Sequence, residues 1–86
     1  MILHHSRRAR LQLLAINDVA ARVGAQIREA VEIIRHFPFA GRLGSVAGTR
    51  EWIVRRMPYV IVYEIKPVKP DELVILGIFH GQEDRG

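Results

Sequence analysis

The sequence predicts an α+β fold of two layers, in which a helical region packs on an antiparallel β-sheet. Apolar residues recur at intervals of three or four between positions 9 and 34, which is the period of one face of an α-helix. Between positions 48 and 80 the chain carries three segments rich in β-branched and aromatic residues, separated by prolines, as is typical of successive strands. Such a sheet has to bury one face, and the apolar helical stripe can cover it.

The N-terminal residues predict a short strand followed by a helix. Residues 1–5 are mostly apolar, and we expect them to form a strand at the edge of the sheet. Ser6 is a suitable helix N-cap, because its hydroxyl can accept a hydrogen bond from a free backbone N–H of the first turn. The apolar stripe of the helical region then consists of Ala9, Leu13, Ile16, Ala20, Val23, Ile27, Ala30 and Ile34.

The helical region permits two interpretations around position 17. Asn17 tolerates the left-handed conformation that ends a helix, and Asp18 is a favourable N-cap for another one. These residues predict a helical hairpin with helices at residues 6–16 and 18–36, which is the interpretation we favour. The alternative is one long helix, which would need a long sheet or a second subunit to bury its stripe and would therefore predict dimerisation.

The C-terminal half predicts a three-stranded antiparallel meander. Pro38 ends the helical region, because the residue before a proline is disfavoured in the α conformation. Residues 39–48 contain three glycines and are predicted to form a loop. We expect strands at residues 50–57, 59–66 and 73–80. The last of them is almost continuously apolar, as expected of a central strand that is covered on both faces.

Composition limits the class of protein. The chain has 86 residues, of which 49% are hydrophobic, and it contains no cysteine. We expect residues 1–86 to form a single domain without disulfides or thiolate–zinc sites. No apolar run approaches the roughly 20 residues of a membrane helix, and residues 1–10 lack the apolar stretch of a secretory signal. We therefore expect a soluble, cytoplasmic protein.

The polar residues favour an anionic partner over a metal or a cofactor. The formal net charge is +4, and only two of the thirteen cationic side chains are lysines. Arginine can make paired hydrogen bonds to phosphate or carboxylate, so nucleic acid or an acidic protein segment is the expected partner. A basic surface that serves only solubility is the alternative. His4 and His5 should point in opposite directions, and no ligand cluster or phosphate-binding glycine loop accompanies them, so we predict no metal and no cofactor.

The order and spacing of several motifs resemble a known family. The N-terminal residues Ser6, Ala9, Leu13 and Ile16 match the pattern S-x-x-A-x-x-x-L-x-x-I. Residues 37–42 resemble FPxxGR, and residues 48–50, 58–63 and 75–80 resemble the series G-x-R, PYxIxY and I-L-x-V-x-H. Together they resemble the RelE/ParE family of small bacterial toxins along nearly the whole chain.

The resemblance implies a toxin of a type II toxin–antitoxin module. Such a toxin inhibits growth until a cognate antitoxin, with an acidic or amphipathic tail, binds and neutralises it. The family divides between toxins that bind and poison DNA gyrase and toxins that cleave messenger RNA on the ribosome. The ending Phe79-His80 resembles the ParE-like branch, which implies gyrase poisoning without chemistry by the toxin itself.

The RelE-like ribosome-dependent endoribonuclease is the alternative. In that branch an arginine precedes the L-V-Y of the middle strand, where this chain has Val60, and basic residues follow the last strand, where this chain has Gln82 and two acidic residues. Valine cannot stabilise negative charge on a reacting phosphate, and carboxylates would repel RNA. We therefore expect a binding protein more than an enzyme. If it is a nuclease, the candidate catalytic residues are His80, Arg56, Tyr59 and Arg55.

Two sets of residues are predicted to contact partners. For the target they are Arg50, Arg55, Arg56, His80 and Gln82. For the antitoxin they are the apolar residues that a small domain cannot hide, Leu11, Leu14, Val31 and Trp52.

On a strand the adjacent Arg55 and Arg56 would point to opposite faces. The face shared by Tyr59, Ile61 and Tyr63 is expected to pack in the core, with base stacking as the alternative. A structural role for His80 at the end of a buried strand also remains open.

Overall fold

The computed structural model describes residues 2–19, 21–69 and 72–80. In this part of the chain, two helices pack on one five-stranded sheet with strand order β1-β5-β4-β3-β2, which confirms the predicted α+β class. No helix in these ranges is long and apolar enough to cross a membrane. The elements in chain order are β1 (Ile2–His5), α1 (Arg7–Val19), α2 (Ala21–His36), β2 (Arg42–Leu43), β3 (Thr49–Ile53), β4 (Tyr59–Ile65) and β5 (Glu72–His80).

The meander and the edge strand agree with the sequence-based predictions. Strands β3, β4 and β5 are antiparallel neighbours, and β5 lies between β4 and β1. The edge strand β1 runs parallel to β5.

His4 and His5 do face opposite ways: His4 Nε2 lies 3.6 Å from Glu72 Oε1, whereas His5 pairs in register with the buried Ile75. Burial, and secondarily the charge of Arg10, lowers the pKa of His5.

The helical region forms two helices, but the junction lies later than predicted. Helix α1 continues to Val19 and α2 begins at Ala21, with residue 20 outside the described ranges. The prediction of a junction at Asn17 and Asp18 is therefore wrong. Each of these residues costs at most about 0.7 kcal/mol relative to alanine inside a helix. Such a cost does not by itself end a helix, and α1 contains both residues.

The region between α2 and β4 contains two further corrections. Residues 42 and 43, predicted as loop, form the short strand β2, in which Arg42 pairs with Glu51. The strand predicted at residues 50–57 ends at Ile53. Arg55 and Arg56 consequently lie in the β3–β4 turn and do not alternate across a strand. The φ angle of Arg56 is 62°, a left-handed conformation that a strand cannot contain.

Helix α1 covers the part of the β5 edge that the short strand β1 leaves open. Strand β1 pairs only with residues 72–75. Beyond them, the Ser6 hydroxyl donates to the Leu76 carbonyl at 2.8 Å, and the Gln12 Oε1 accepts from the Ile78 N–H at 2.7 Å. Ser6 Oγ also accepts from the Ala9 N–H at 3.0 Å, which confirms Ser6 as the N-cap. Polar side chains thus replace a neighbouring strand and leave no bare edge here.

The core lies between the stripe of α2 and the inner face of the sheet, which is the face that packs on the helices. Ile61 and Tyr63 are fully buried in it, and Tyr59 packs against it, so the predicted core role of this row is confirmed. Val31 is only 4% exposed, and its predicted place among the exposed apolar residues is wrong. The side chain widens the buried stripe of α2. The largest fully buried side chains are Tyr63, Ile27, Ile34, Ile61, Leu73 and Ile75.

Tyr63 ties the sheet to the loop that follows α2. Its hydroxyl donates to the Pro38 carbonyl at 2.6 Å and accepts from the Gly41 N–H at 3.0 Å. A Cβ at Gly41 would overlap this hydroxyl, which explains glycine at that position. Burial raises the pKa of Tyr63, and the Gly41 N–H and the charge of Arg50 oppose the shift. The phenol therefore stays protonated and keeps both hydrogen bonds.

We predict that Tyr63→Phe lowers the free energy of unfolding by about 1–3 kcal/mol, because the half-buried Pro38 carbonyl and the buried Gly41 N–H lose their partner. Urea denaturation followed by circular dichroism measures this loss. Tyr59→Phe is the matched control, since the Tyr59 hydroxyl makes no hydrogen bond with another described residue. Equal stability of the two variants would contradict the prediction.

The pH dependence of the same variant gives a second readout. The folded-state pKa of Tyr63 lies above its ordinary value of 10.0, so the unfolded state loses this proton first as the pH rises. The stability that Tyr63 contributes is complete below pH 10 and is lost as the pH rises through the folded-state pKa. Tyr63→Phe should lack this component of alkaline destabilisation, and Tyr59→Phe should retain it.

Candidate functional site

Four of the predicted functional residues lie at one end of the sheet. Because β4 and β5 are antiparallel, Tyr59 at the start of β4 pairs with His80 at the end of β5. Their rings meet edge to face, with centroids 5.8 Å apart and an interplanar angle of 74°. The β3–β4 turn, with Arg55 and Arg56, directly precedes Tyr59. We call this region the turn end of the sheet.

An open cleft of about 370 Å³ lies beside the aromatic pair. His80 is exposed at its margin and Tyr59 is half-buried. Among the described residues that line this cleft, none is an arginine or a lysine. A phosphate bound there would find an imidazole and a phenol, but no guanidinium in the wall. The lining residues are Gln12, Ala15, Ile16, Tyr59, Ile78 and His80.

Val60 is buried on the outer face of the sheet, opposite the helices. It is 4% exposed and pairs in register with Ile53 on one side and Phe79 on the other. The guanidinium of Arg8 in α1 lies over Phe79, 4.6 Å from the ring centre. No local pattern in the sequence distinguishes Arg8, because only the tertiary fold brings the first turn of α1 to the end of β5.

The turn arginines are available for binding. Arg55 and Arg56 are both exposed, and neither guanidinium makes a hydrogen bond or an ion pair with another residue of the described ranges. The left-handed conformation of Arg56 costs roughly 1–2 kcal/mol in a residue with a Cβ. Strain of this kind is often found at functional sites. The charges of Arg55 and Arg56 therefore project from a turn whose backbone is strained at Arg56.

Two other predicted target-binding residues are not part of the turn end as described. Arg50 lies near the start of β3, where its Nη1 donates to the carbonyls of Phe39 at 3.2 Å and Gly41 at 2.8 Å. It therefore fixes the loop after α2. Gln82 lies outside the described residues.

Three of the four predicted antitoxin-binding residues fall on two surfaces, and the fourth, Val31, is buried. Leu11 and Leu14 of α1 are 56% and 63% exposed, and Leu14 contributes to a groove of about 300 Å³ between the helices, flanked by Arg10 and Arg28. Trp52 is half-buried against the core. It also lines a second groove, of about 310 Å³, between α2 and β3, with Gln26, Glu29, Ala30, Ile33, Val54 and Arg55.

Two solved structures with this fold come from bacterial toxin systems. A chain of the chromosomal ParDE toxin–antitoxin system from P. aeruginosa is 27% identical, with a TM-score of 0.79 and coverage of 93% of this chain and 95% of that one. The isolated E. coli RelE toxin has a TM-score of 0.75 with coverage of 98% of this chain and 87% of that one; at 15% identity this likeness concerns the fold alone. The architecture therefore defines a small toxin of the RelE/ParE class.

Sequence comparison narrows the class further. The profile of the ParE toxin of the type II toxin–antitoxin system parDE matches residues 3–85, and the chain belongs to this family. The protein Y4kP of Sinorhizobium fredii (strain NBRC 101917 / NGR234) is 36% identical over 66 residues, which are 77% of this chain. The chain spans 65% of the length of that relative.

We predict that Val60→Arg lowers the free energy of unfolding by about 2–4 kcal/mol, because a charge would have to leave water at a position packed between β3 and β5. Thermal or urea denaturation measures the effect. Ile53→Arg is the matched control: Ile53 pairs directly with Val60 but is 54% exposed, so the same charge should cost less than about 1 kcal/mol. A Val60→Arg protein as stable as wild type would contradict the burial of this position.

Proposed function

We propose that this ParE-family chain inhibits growth by binding and poisoning DNA gyrase, and that a cognate antitoxin neutralises it. The observation that carries the proposal is the chemistry of the turn end. Cations project outward from the β3–β4 turn, whereas neither an arginine nor a lysine is among the described residues lining the adjacent cleft. The arrangement suits a surface that binds, because catalysis on a phosphate needs a cation and an acid–base group that converge on the same phosphate group.

The turn residues supply the proposed contact with gyrase or with the DNA that gyrase holds. Arg55 and Arg56 offer guanidinium groups that can bind carboxylate or phosphate through paired hydrogen bonds. His80 and Gln82 are further proposed contacts, and Arg50 contributes from the start of β3. Gyrase acts on chromosomal DNA, so this function requires the toxin to be in the cytoplasm.

The antitoxin is proposed to cover the apolar grooves. The groove with Leu14 is flanked by Arg10 and Arg28, and the groove with Trp52 has Arg55 among its lining residues. An amphipathic antitoxin tail could place apolar side chains in these grooves and carboxylates near the arginines. Because Arg55 belongs both to the turn end and to the second groove, an antitoxin bound there would compete with the target.

A ribosome-dependent endoribonuclease is the second candidate, favoured by the exposed His80 beside Tyr59. An imidazole can act as a general acid or base, and the cleft beside it could accept a nucleotide. Arg55 and Arg56 would then have to reach the phosphate from the turn. We rank this function second because the RelE-like branch has an arginine at one position of the middle strand, and this chain has the buried Val60 there.

We predict that purified toxin, titrated into gyrase with relaxed plasmid, abolishes supercoiling and traps linear DNA after protein removal. Adding the antitoxin should restore supercoiling. His80→Ala should shift the effective toxin concentration by less than about tenfold if His80 only contacts the target, whereas a catalytic imidazole would cost orders of magnitude. Unaffected gyrase, together with cleavage of ribosome-bound mRNA that His80→Ala abolishes, would replace this function by the second candidate.

We further predict that Arg56→Gly raises the toxin concentration needed for half-inhibition of gyrase by roughly tenfold, because a charged contact is lost. The same change should leave stability unaltered or increase it by up to about 1 kcal/mol, since glycine adopts a positive φ without strain. The control is Arg22→Ala, which removes an exposed arginine from the first turn of α2. Equal potency of Arg56→Gly and wild type would exclude the turn from the interface.

A further inference from the structure

The segment between α2 and β3 exposes a concentration of large apolar side chains. Ten such side chains are exposed in the part of the chain that the structure describes, and four of them lie within residues 37–46. Phe39 is 69% exposed and Leu43 is 77% exposed. Arg50 lies beside both: it pairs in register with Leu43, and its guanidinium carbon is 5.2 Å from the centre of the Phe39 ring. We call Phe39, Leu43 and Arg50 the Phe39 patch.

The backbone below this patch is fixed by hydrogen bonds from the sheet. The Tyr63 hydroxyl bonds to Pro38 and Gly41, and the Arg50 guanidinium bonds to the carbonyls of Phe39 and Gly41. On the other side of β2, the Gly44 N–H donates to the Thr49 carbonyl at 2.9 Å. Phe39 is therefore held in solvent by a rigid frame, although its exposed ring adds little to the stability of the core.

A rigidly presented aromatic side chain is suited to binding. Little conformational entropy is left to lose on association, and a phenylalanine ring buries a large apolar area in a partner pocket. Aromatic residues and arginine are also enriched at protein–protein interfaces, where a few such side chains carry most of the binding free energy. The composition of the Phe39 patch matches that of such an anchor.

The charges around the patch indicate the chemistry of the partner. Arg42 pairs with Glu51 at 2.9 Å, and Arg35 lies 3.4 Å from Glu32. Arg50 instead bonds to neutral carbonyl oxygens and has no carboxylate partner within the described ranges. The patch is therefore apolar with an uncompensated positive charge. An acidic protein surface with an apolar pocket is complementary to it, whereas nucleic acid phosphates would leave Leu43 without an apolar partner.

We propose that the Phe39 patch docks into an apolar pocket on an acidic protein surface, and that this surface belongs to the enzyme that the toxin inhibits. The identification of that enzyme as DNA gyrase rests on the proposed function. Strand β3 has five residues, so its start, which carries the patch, and the turn after it are on the order of 15 Å apart. The patch thus adds an apolar anchor to the charged contact at the turn end.

The test compares growth inhibition by induced toxin in cells without antitoxin. Phe39→Ala and Leu43→Ala should each need at least about tenfold more toxin for the same inhibition, because each removes part of the anchor. Val68→Ala is the control, since Val68 is 91% exposed, outside the patch, and should leave potency unchanged. Thermal denaturation verifies that the variants are folded, and affinity for the antitoxin should stay within about twofold of wild type.

A double-mutant cycle tests the positioning role of Arg50. Arg50→Ala should weaken growth inhibition in the wild-type background by releasing the carbonyls of Phe39 and Gly41. In the Phe39→Ala background the same change should have a much smaller effect, because the anchor that Arg50 positions is already absent. Additive effects of the two changes would overturn the positioning role. Arg50→Lys, which retains the charge but not the planar guanidinium over the Phe39 ring, should restore only part of the activity.

The outcomes separate this inference from the proposed function. Phe39→Ala as inhibitory as wild type, or weakened only in binding the antitoxin or isolated DNA, would overturn the docking role. If the wild-type toxin arrests growth while purified gyrase stays active, the assignment of gyrase as the target is overturned. The docking role of the Phe39 patch is then still tested by comparing Phe39→Ala with wild type in the growth assay. A wild-type chain without effect on growth would overturn both.

Discussion

The hydroxyl of Tyr63 joins the buried centre of the sheet to the end of the helical layer, and much of the structure depends on this connection. A tyrosine hydroxyl can donate one hydrogen bond and accept another, and both are used here, on Pro38 and Gly41. The close approach of the ring excludes a Cβ at Gly41. Arg50 adds hydrogen bonds to the same loop. Together these contacts fix how the chain leaves α2 and enters the sheet.

The two ends of β3 use arginine in different ways. At the start of the strand, the hydrogen bonds of Arg50 go to backbone carbonyls of a neighbouring loop. After its end, Arg55 and Arg56 project into solvent from a turn with a strained backbone. The nearby cleft contains the exposed imidazole of His80, and its described lining includes neither an arginine nor a lysine. The proposed binding function rests on this separation of the turn arginines from the imidazole.

Much of the fold was predictable from local patterns, whereas much of the site was not. The period of the stripe predicted the helical layer, and Ser6 was recognised as an N-cap because capping depends on a few neighbouring residues. The predicted break at Asn17 failed, since the modest propensity cost of an asparagine or an aspartate does not by itself end a helix. Placing Arg55 and Arg56 on a strand failed for a related reason: their residue types do not reveal where a ladder of hydrogen bonds stops.

The sequence by itself determined the α+β class, the antiparallel meander, the edge position of β1 and the membership of the toxin family, because these follow from hydrophobic periodicity and from motif order. Tertiary structure alone decided which apolar residues are exposed. Val31 is buried while Leu14 is not, although both are apolar residues of the same helical layer. It also decided that Arg50 fixes a loop and that Arg8 reaches Phe79. Arg8 and Phe79 lie near opposite ends of the chain, and Arg50 connects a strand to the loop before it, so the geometry of both contacts exists only once the sheet and the helices have packed.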